Sequence, residues 1–240
     1  MHNSYMSDIY QKRRIIITIV GLAIFAGVII INTPKQVELI SSSTSSSEET
    51  SSKTSPAIDA LKTLAIKGRA PKTNYSREQF GAGWTTTSGC DTRNIILNRD
   101  LINAVVDDGC NVTSGVLNDP YTGKTIQFTR GSATSAAVQI DHVVALSDAW
   151  QKGAQQMTVD NRILLANDSI ELLAVDGSAN LQKNDGDAAT WLPSNKSFRC
   201  QYVARQIAVK QKYNLWVTQA EYDAIATILD KCPDQLLPSP

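Results

Sequence analysis

From Ile15 to Ile31 every side chain except Thr18 is apolar, and from Ser41 to Ser55 twelve of fifteen positions are Ser or Thr. Beyond residue 56 the pattern breaks into short amphipathic runs of both periods. Ile58, Leu61, Leu64 and Ala65 fall on one helical face, so a folded domain is expected from Ala57 onward. Asn94–Val106 carries Ile95, Ile96, Leu97, Leu101, Ile102, Val105 and Val106 at helical spacing, which predicts one helix with a core-facing stripe. Val112–Val116 and Lys124–Phe128 flank the turn-rich Asn118-Asp-Pro-Tyr-Thr-Gly123, the pattern of a hairpin. Ala137–Leu146 reads as a buried strand. Helices are predicted from Asp148 through Trp150 and over Val159–Ala166. Leu172–Val175 reads as a second buried strand, Asp176-Gly177 as its turn, and Asn180–Asp187 as the opening of a further helix.

These runs divide the chain. Residues 1–14 read as a cytoplasmic tail, because Lys12, Arg13 and Arg14 precede the apolar run and mark the inner side. Residues 15–31 form a transmembrane anchor or a signal segment. As a helix they span about 26 Å, just short of the hydrocarbon core, and no small-x-small cleavage signature follows. Residues 32–56 cannot bury apolar area and read as a disordered linker. Residues 57–240 hold the domain, placed outside the membrane or secreted. Its expected class is α+β, a mainly helical domain around a small antiparallel sheet.

Charge narrows the function. The chain has 23 basic and 23 acidic residues, and the first 56 residues take 5 and 4 of these. The remainder holds 18 against 19, which is no strongly basic nucleic-acid binder, so any such contact needs a local patch. Leu192–Ala220 contains no acidic residue and carries Lys196, Arg199, Arg205 and Lys212, a candidate phosphate-tracking face that a solvated helix explains equally well. Arg93 is a weaker candidate. Cys90, Cys110, Cys200 and Cys232 all lie beyond the linker, and an even count in an exported domain favours two disulfides. Of three possible connectivities, Cys90–Cys110 and Cys200–Cys232 are favoured, since each brackets a predicted helix. Zinc is a poor alternative, with no Cys-x-x-Cys and one histidine in the domain.

That histidine, His142, follows Asp141 directly. Alone the pair is weak evidence, because a strand can carry a satisfied structural imidazole. Two strands and then a helix opening at Asn180 give the order of a ββα-metal finger. Asp141 offers a hard anionic oxygen and Asn180 a neutral one, a set that suits Mg²⁺ or Mn²⁺. His142 would take a proton from water, and Lys183, one turn beyond Asn180, would neutralise charge on phosphorus.

The ordered blocks Gly89-Cys-Asp-Thr-Arg-Asn94, Asp119-Pro-Tyr-Thr-Gly123, Gln139-Ile-Asp-His-Val-Val-Ala-Leu146, Asp185-Gly-Asp-Ala-Ala-Thr-Trp-Leu-Pro193 and Arg199-Cys-Gln-Tyr-Val-Ala-Arg205 carry a resemblance. The sequence resembles the HNH endonucleases, specifically secreted proteins similar to the GmrSD C-terminal domain, from about Ala57 to Cys232. The resemblance implies metal-dependent hydrolysis of DNA, with RNA as an alternative substrate, His142 as general base and Asp141 and Asn180 as metal ligands. One departure stands out. The family's middle Asn is Glu171 here, which would either orient the imidazole through Nδ1–H or repel phosphate. An exported module that keeps the fold and binds nucleic acid without turnover is therefore the competing reading.

Overall fold

The computed structural model describes residues 56–238. The tail, the apolar segment 15–31 and all of the linker but its last residue lie outside the described residues. Among the described residues no helix is long and apolar enough to cross a membrane.

The architecture is α+β. Helix α1 (Ala57–Thr63) is followed by the two-residue strands β1 (Thr86–Thr87) and β2 (Cys90–Asp91), helix α2 (Thr92–Asp100), and strands β3 (Ile102–Val106), β4 (Val112–Asn118) and β5 (Thr125–Thr129). Strand β6 (Val138–His142), helices α3 (Leu146–Gln151) and α4 (Val159–Ala166), strand β7 (Leu172–Asp176) and helices α5 (Gly177–Lys183), α6 (Arg199–Lys212) and α7 (Gln219–Leu229) complete it. The strands do not form the one small sheet expected. They form three, β1-β2, β3-β4-β5 and β6-β7, all antiparallel. Both predicted disulfides are present, Cys90–Cys110 and Cys200–Cys232.

The single helix expected over Asn94–Val106 is instead a helix and a strand. Asp91 caps α2 by accepting the Asn94 N–H at 2.7 Å, and the helix stops where Leu101 turns extended. Asp100 then accepts the Ala174 N–H at 2.8 Å, and Ile102–Val106 pairs with β4. The β-branched residues suit a strand as well as a helix in apolar spacing, and the partner strand decides between them. Ile96, Leu97 and Leu101 are buried as expected, whereas Ile102, Val105 and Val106 stand exposed on an edge strand.

The antiparallel pair β6-β7 lies between two cores. Alternate side chains face opposite sides of a strand, and the register pairs Val138 with Asp176, Ile140 with Ala174 and His142 with Leu172. Val138, Ile140, Leu172 and Ala174 pack with Ile96, Leu97 and Phe128 in the smaller core. Leu173 and Val175 face the larger one, built on Tyr202, Val203 and Ile207 of α6 and Ile225 and Leu229 of α7. Helix α5 begins earlier than expected, at Gly177 rather than Asn180, because Asp176 accepts the Ala179 N–H at 2.8 Å and caps it. A Cβ on Gly177 would lie 2.1 Å from the Ala136 carbonyl oxygen, so only glycine lets the helix start this close to the turn that precedes β6. Asn184, at φ 50°, ends it. Asn180 thus sits in mid-helix beside β6.

Candidate active site

Adjacent residues on β6 must point apart, so Asp141 and His142 meet different surroundings. Asp141 is buried on the side of the larger core. Its Oδ2 accepts the Tyr121 O–H at 2.5 Å and its Oδ1 accepts from the Lys183 ammonium at 2.9 Å. Burial raises the pKa of this carboxyl, and Lys183 and Tyr121 hold it back. Tyr121 comes from the turn between β4 and β5 and is fully buried, edge-on to Trp191 and Tyr202.

Lys183 is 2% exposed. Besides Asp141 it donates to the His142 carbonyl at 2.7 Å. An ammonium so placed fixes the end of β6 rather than reaching toward a phosphate.

The His142 ring stacks on Trp84, with centroids 5.7 Å apart and planes at 10°. Its Nε2 lies 3.0 Å from the Ala166 carbonyl oxygen at the end of α4. A carbonyl only accepts, so Nε2 carries the proton and Nδ1 keeps its lone pair. Burial, with the Arg77 charge next, lowers the pKa to about 3. The imidazole is neutral at any ordinary pH.

Glu171 does not orient that ring. Its Oε2 accepts the Val144 N–H at 3.2 Å, while Oε1 has no hydrogen-bond partner. Burial raises its pKa and favours the protonated acid, and the side chain holds the segment just after His142. The backbone reinforces this grip, with the Val143 N–H donating to the Glu171 carbonyl at 2.9 Å.

Asp141, His142 and Asn180 nevertheless line one cleft of about 430 Å³, together with Arg77, Arg93, Gln139 and Asp185. Asn180 Nδ2 donates to Gln139 Oε1 at 2.9 Å, which leaves its carbonyl oxygen available. Arg93 reaches the Val138 carbonyl at 3.3 Å from the same wall. Among the described residues Arg77 forms no ion pair within 4.0 Å, and no three of His, Cys, Asp and Glu cluster as a metal group.

The basic face expected from Leu192–Ala220 does not line this cleft. Arg205 donates to the Ile170 carbonyl at 2.7 Å, Arg199 to the Pro193 carbonyl at 2.7 Å, and Lys212 pairs with Asp168 at 2.6 Å. Lys196 lies in a short 3₁₀ turn before α6. Arg199 and Arg205 serve local backbone and Lys212 one carboxylate.

Sequence reasoning missed Arg77, Gln139 and the Trp84 stack. Arg77 and Trp84 come beside His142 only through tertiary contact, whereas Gln139, two residues before Asp141 on β6, shares its face by strand alternation. The Asp119-Pro-Tyr-Thr-Gly123 block was visible, but Tyr121 as the partner of Asp141 was not.

Comparison with known proteins bears on the same residues. No solved structure matches the chain. An uncharacterized secreted protein of Arthroderma benhamiae is 39% identical over 181 residues, which are 74% of this chain and 85% of that protein. Residues 91–228, from the start of α2 through α7 and so including the whole cleft wall formed by β6 and α5, match the family described as GmrSD restriction endonucleases, C-terminal domain. The chain belongs to that nuclease-related family.

Proposed function

We propose that the protein is an exported endonuclease of HNH type that hydrolyses phosphodiesters of DNA with a His-activated water. One observation carries the reading: β6 and the helix that follows β7 bring an adjacent acid and imidazole together with an amide from far along the chain, in one cleft flanked by two arginines. In this reading β6, β7 and α5 are the ββα-metal finger.

The donors suit a hard divalent cation. Asp141 and Asn180 supply one anionic and one neutral oxygen, few enough to leave room for the waters and phosphate oxygens that Mg²⁺ retains, and Mn²⁺ accepts the same set. Bound there, the ion would stabilise the charge developing on phosphoryl and leaving oxygens. The chain's own residues do the rest. His142 Nδ1, unprotonated because Nε2–H is turned to the Ala166 carbonyl, accepts the proton of the attacking water. Lys183 and Tyr121 fix the Asp141 carboxylate, and Lys183 also fixes the His142 backbone. Glu171 replaces the usual Asn as the clasp of the loop after β6. Arg77 and Arg93 hold the phosphates on either side. Export is supported by two disulfides and by the secreted description of the similar fungal protein.

A second reading, a module that binds nucleic acid without turnover, is favoured by the low basicity of His142. General bases work best with pKa values near the operating pH. Phosphate entering the cleft would favour the imidazolium and raise that value, which is why the catalytic reading is preferred.

The full protein incubated with plasmid DNA and with RNA, with Mg²⁺ or with EDTA, tests both. Nicking and linearisation of plasmid with Mg²⁺, lost with EDTA and reduced about 10²–10⁴-fold in His142→Ala, are expected. DNA retained by the wild type without cleavage in Mg²⁺ would establish the binding module instead.

A further inference from the structure

We propose that the cavity behind the imidazole is a nucleobase subsite, so that the cleft acts on a strand with an unpaired base beside the scissile phosphate. The inference rests on the nuclease reading of the adjoining cleft. His142, Arg77 and Leu146 line both spaces, the polar cleft on one side and a cavity of about 230 Å³ on the other. That volume is below the range of drug-sized ligand sites and suits a single ring system.

The walls match a heterocycle. Trp84 and Phe80 supply aromatic surface, and the segment Gly81-Ala-Gly83 between them presents almost no side chain. Gly81 and Gly83, at φ 100° and 137°, adopt backbone that side chains rarely allow, and nothing lies within 4 Å of a Cβ built on Gly83. The loop therefore turns tightly and leaves the mouth open. Glu78 and Arg77 stand exposed at the rim, an acceptor and a donor. A carboxylate accepts from the exocyclic amine of adenine, cytosine or guanine, and thymine offers no such donor. A base in this cavity would be edge-bound there and stacked against the aromatic wall, with its own phosphate in the arginine-flanked cleft. Stacking within a duplex forbids that geometry, which is why an unpaired base is required.

Calorimetric titration of the full protein with the four deoxynucleoside 5′-monophosphates and with deoxyribose 5-phosphate tests the subsite without any hydrolysis. A base should add roughly five- to a hundredfold in affinity, as stacking on aromatic side chains does. Ala82→Trp, which fills the cavity, should remove that gain and leave deoxyribose 5-phosphate binding unchanged. Glu78→Gln should narrow the preference for amino-bearing bases over thymine. If deoxyribose 5-phosphate binds as tightly as the nucleotides, if no nucleotide binds at millimolar concentration, or if Ala82→Trp leaves the base-dependent gain intact, the subsite is refuted. Cleavage assays on single-stranded and duplex DNA keep the two readings apart. Base-dependent binding with no cleavage of either would sink the nuclease and keep the subsite, whereas cleavage indifferent to strandedness would overturn the subsite and keep the nuclease.

Discussion

Six charged side chains meet beneath helices α3, α6 and α7, and three more titratable groups meet at the end of β6. In the first group Lys152 contacts Asp148, Asp187 and Glu221 at 2.7, 2.8 and 2.6 Å, Arg69 contacts Asp148 and Asp187 at 2.7 Å each, and Lys210 contacts Glu221 at 3.0 Å. Three cations face three anions, and the network is closed. At β6, Asp141 is matched by Lys183, but the Nδ1 of His142 and the carbonyl of Asn180 are left for something else. Burial of charge does not by itself mark a functional site. What distinguishes the two places is unused bonding capacity facing a cleft.

Removing one lysine from each place tests that contrast most severely. Lys183→Met leaves buried Asp141 without a cation, and Lys152→Met leaves three buried carboxylates to share Arg69 and Lys210, each at a cost of about 3–5 kcal/mol in urea unfolding. The folded fraction of the Lys152 variant should cleave DNA at the wild-type rate, while the Lys183 variant should lose a further 10–100-fold or so. Equal specific activities would mean that Lys183 only supports the fold.

Acid should then separate the two places through His142. Its folded pKa, about 3, lies below the value of about 6.5 it has in the unfolded chain. The unfolded state therefore binds the extra proton first. The contribution of neutral His142 to stability is complete above pH 6.5 and disappears as pH falls toward 3, with a slope of about 1.4 kcal/mol per pH unit in between. Urea midpoints of the metal-free protein from pH 7 to 4, compared with those of His142→Gln, should show this slope in the wild type alone.

Glu171 has the opposite sign. Its folded pKa is raised, so the folded state holds the proton longer and stability declines as pH rises above the ordinary glutamate value. Glu171→Gln keeps an acceptor for the Val144 N–H and removes the titration. It should raise the thermal midpoint at pH 8 by several degrees more than at pH 4, with hydrolysis preserved. A variant less stable at both pH values would contradict a raised Glu171 pKa.

The smallest expected effects concern cations. Arg77→Ala and Arg93→Ala should each lower the salt slope of DNA binding by about 1. Lys196→Ala and Lys212→Ala should leave it unchanged, because neither residue lines the cleft. A slope that responded to Lys212 would restore the α6 face as the phosphate track.

What the sequence determined by itself is what short-range chemistry dictates. The hairpin turn at Asn118–Gly123, the exact helix at Val159–Ala166, the buried strand at Leu172–Val175 and the pairing of four cysteines were all legible, because periodicity, turn residues and loop length act locally. So was the alignment of Asp141, His142 and Asn180 as one constellation, through ordered motifs rather than geometry. Tertiary structure decided the rest. It broke Asn94–Val106 into helix and strand, since β4 offered a ladder that intrinsic spacing could not foresee. It turned Lys183 inward onto Asp141, gave Glu171 to a backbone amide, tied Arg205 to carbonyls and brought Arg77 and Trp84 beside His142. A side chain's role depends on which groups remain unsatisfied around it after packing, and that is fixed only when segments far apart in the chain are pressed together.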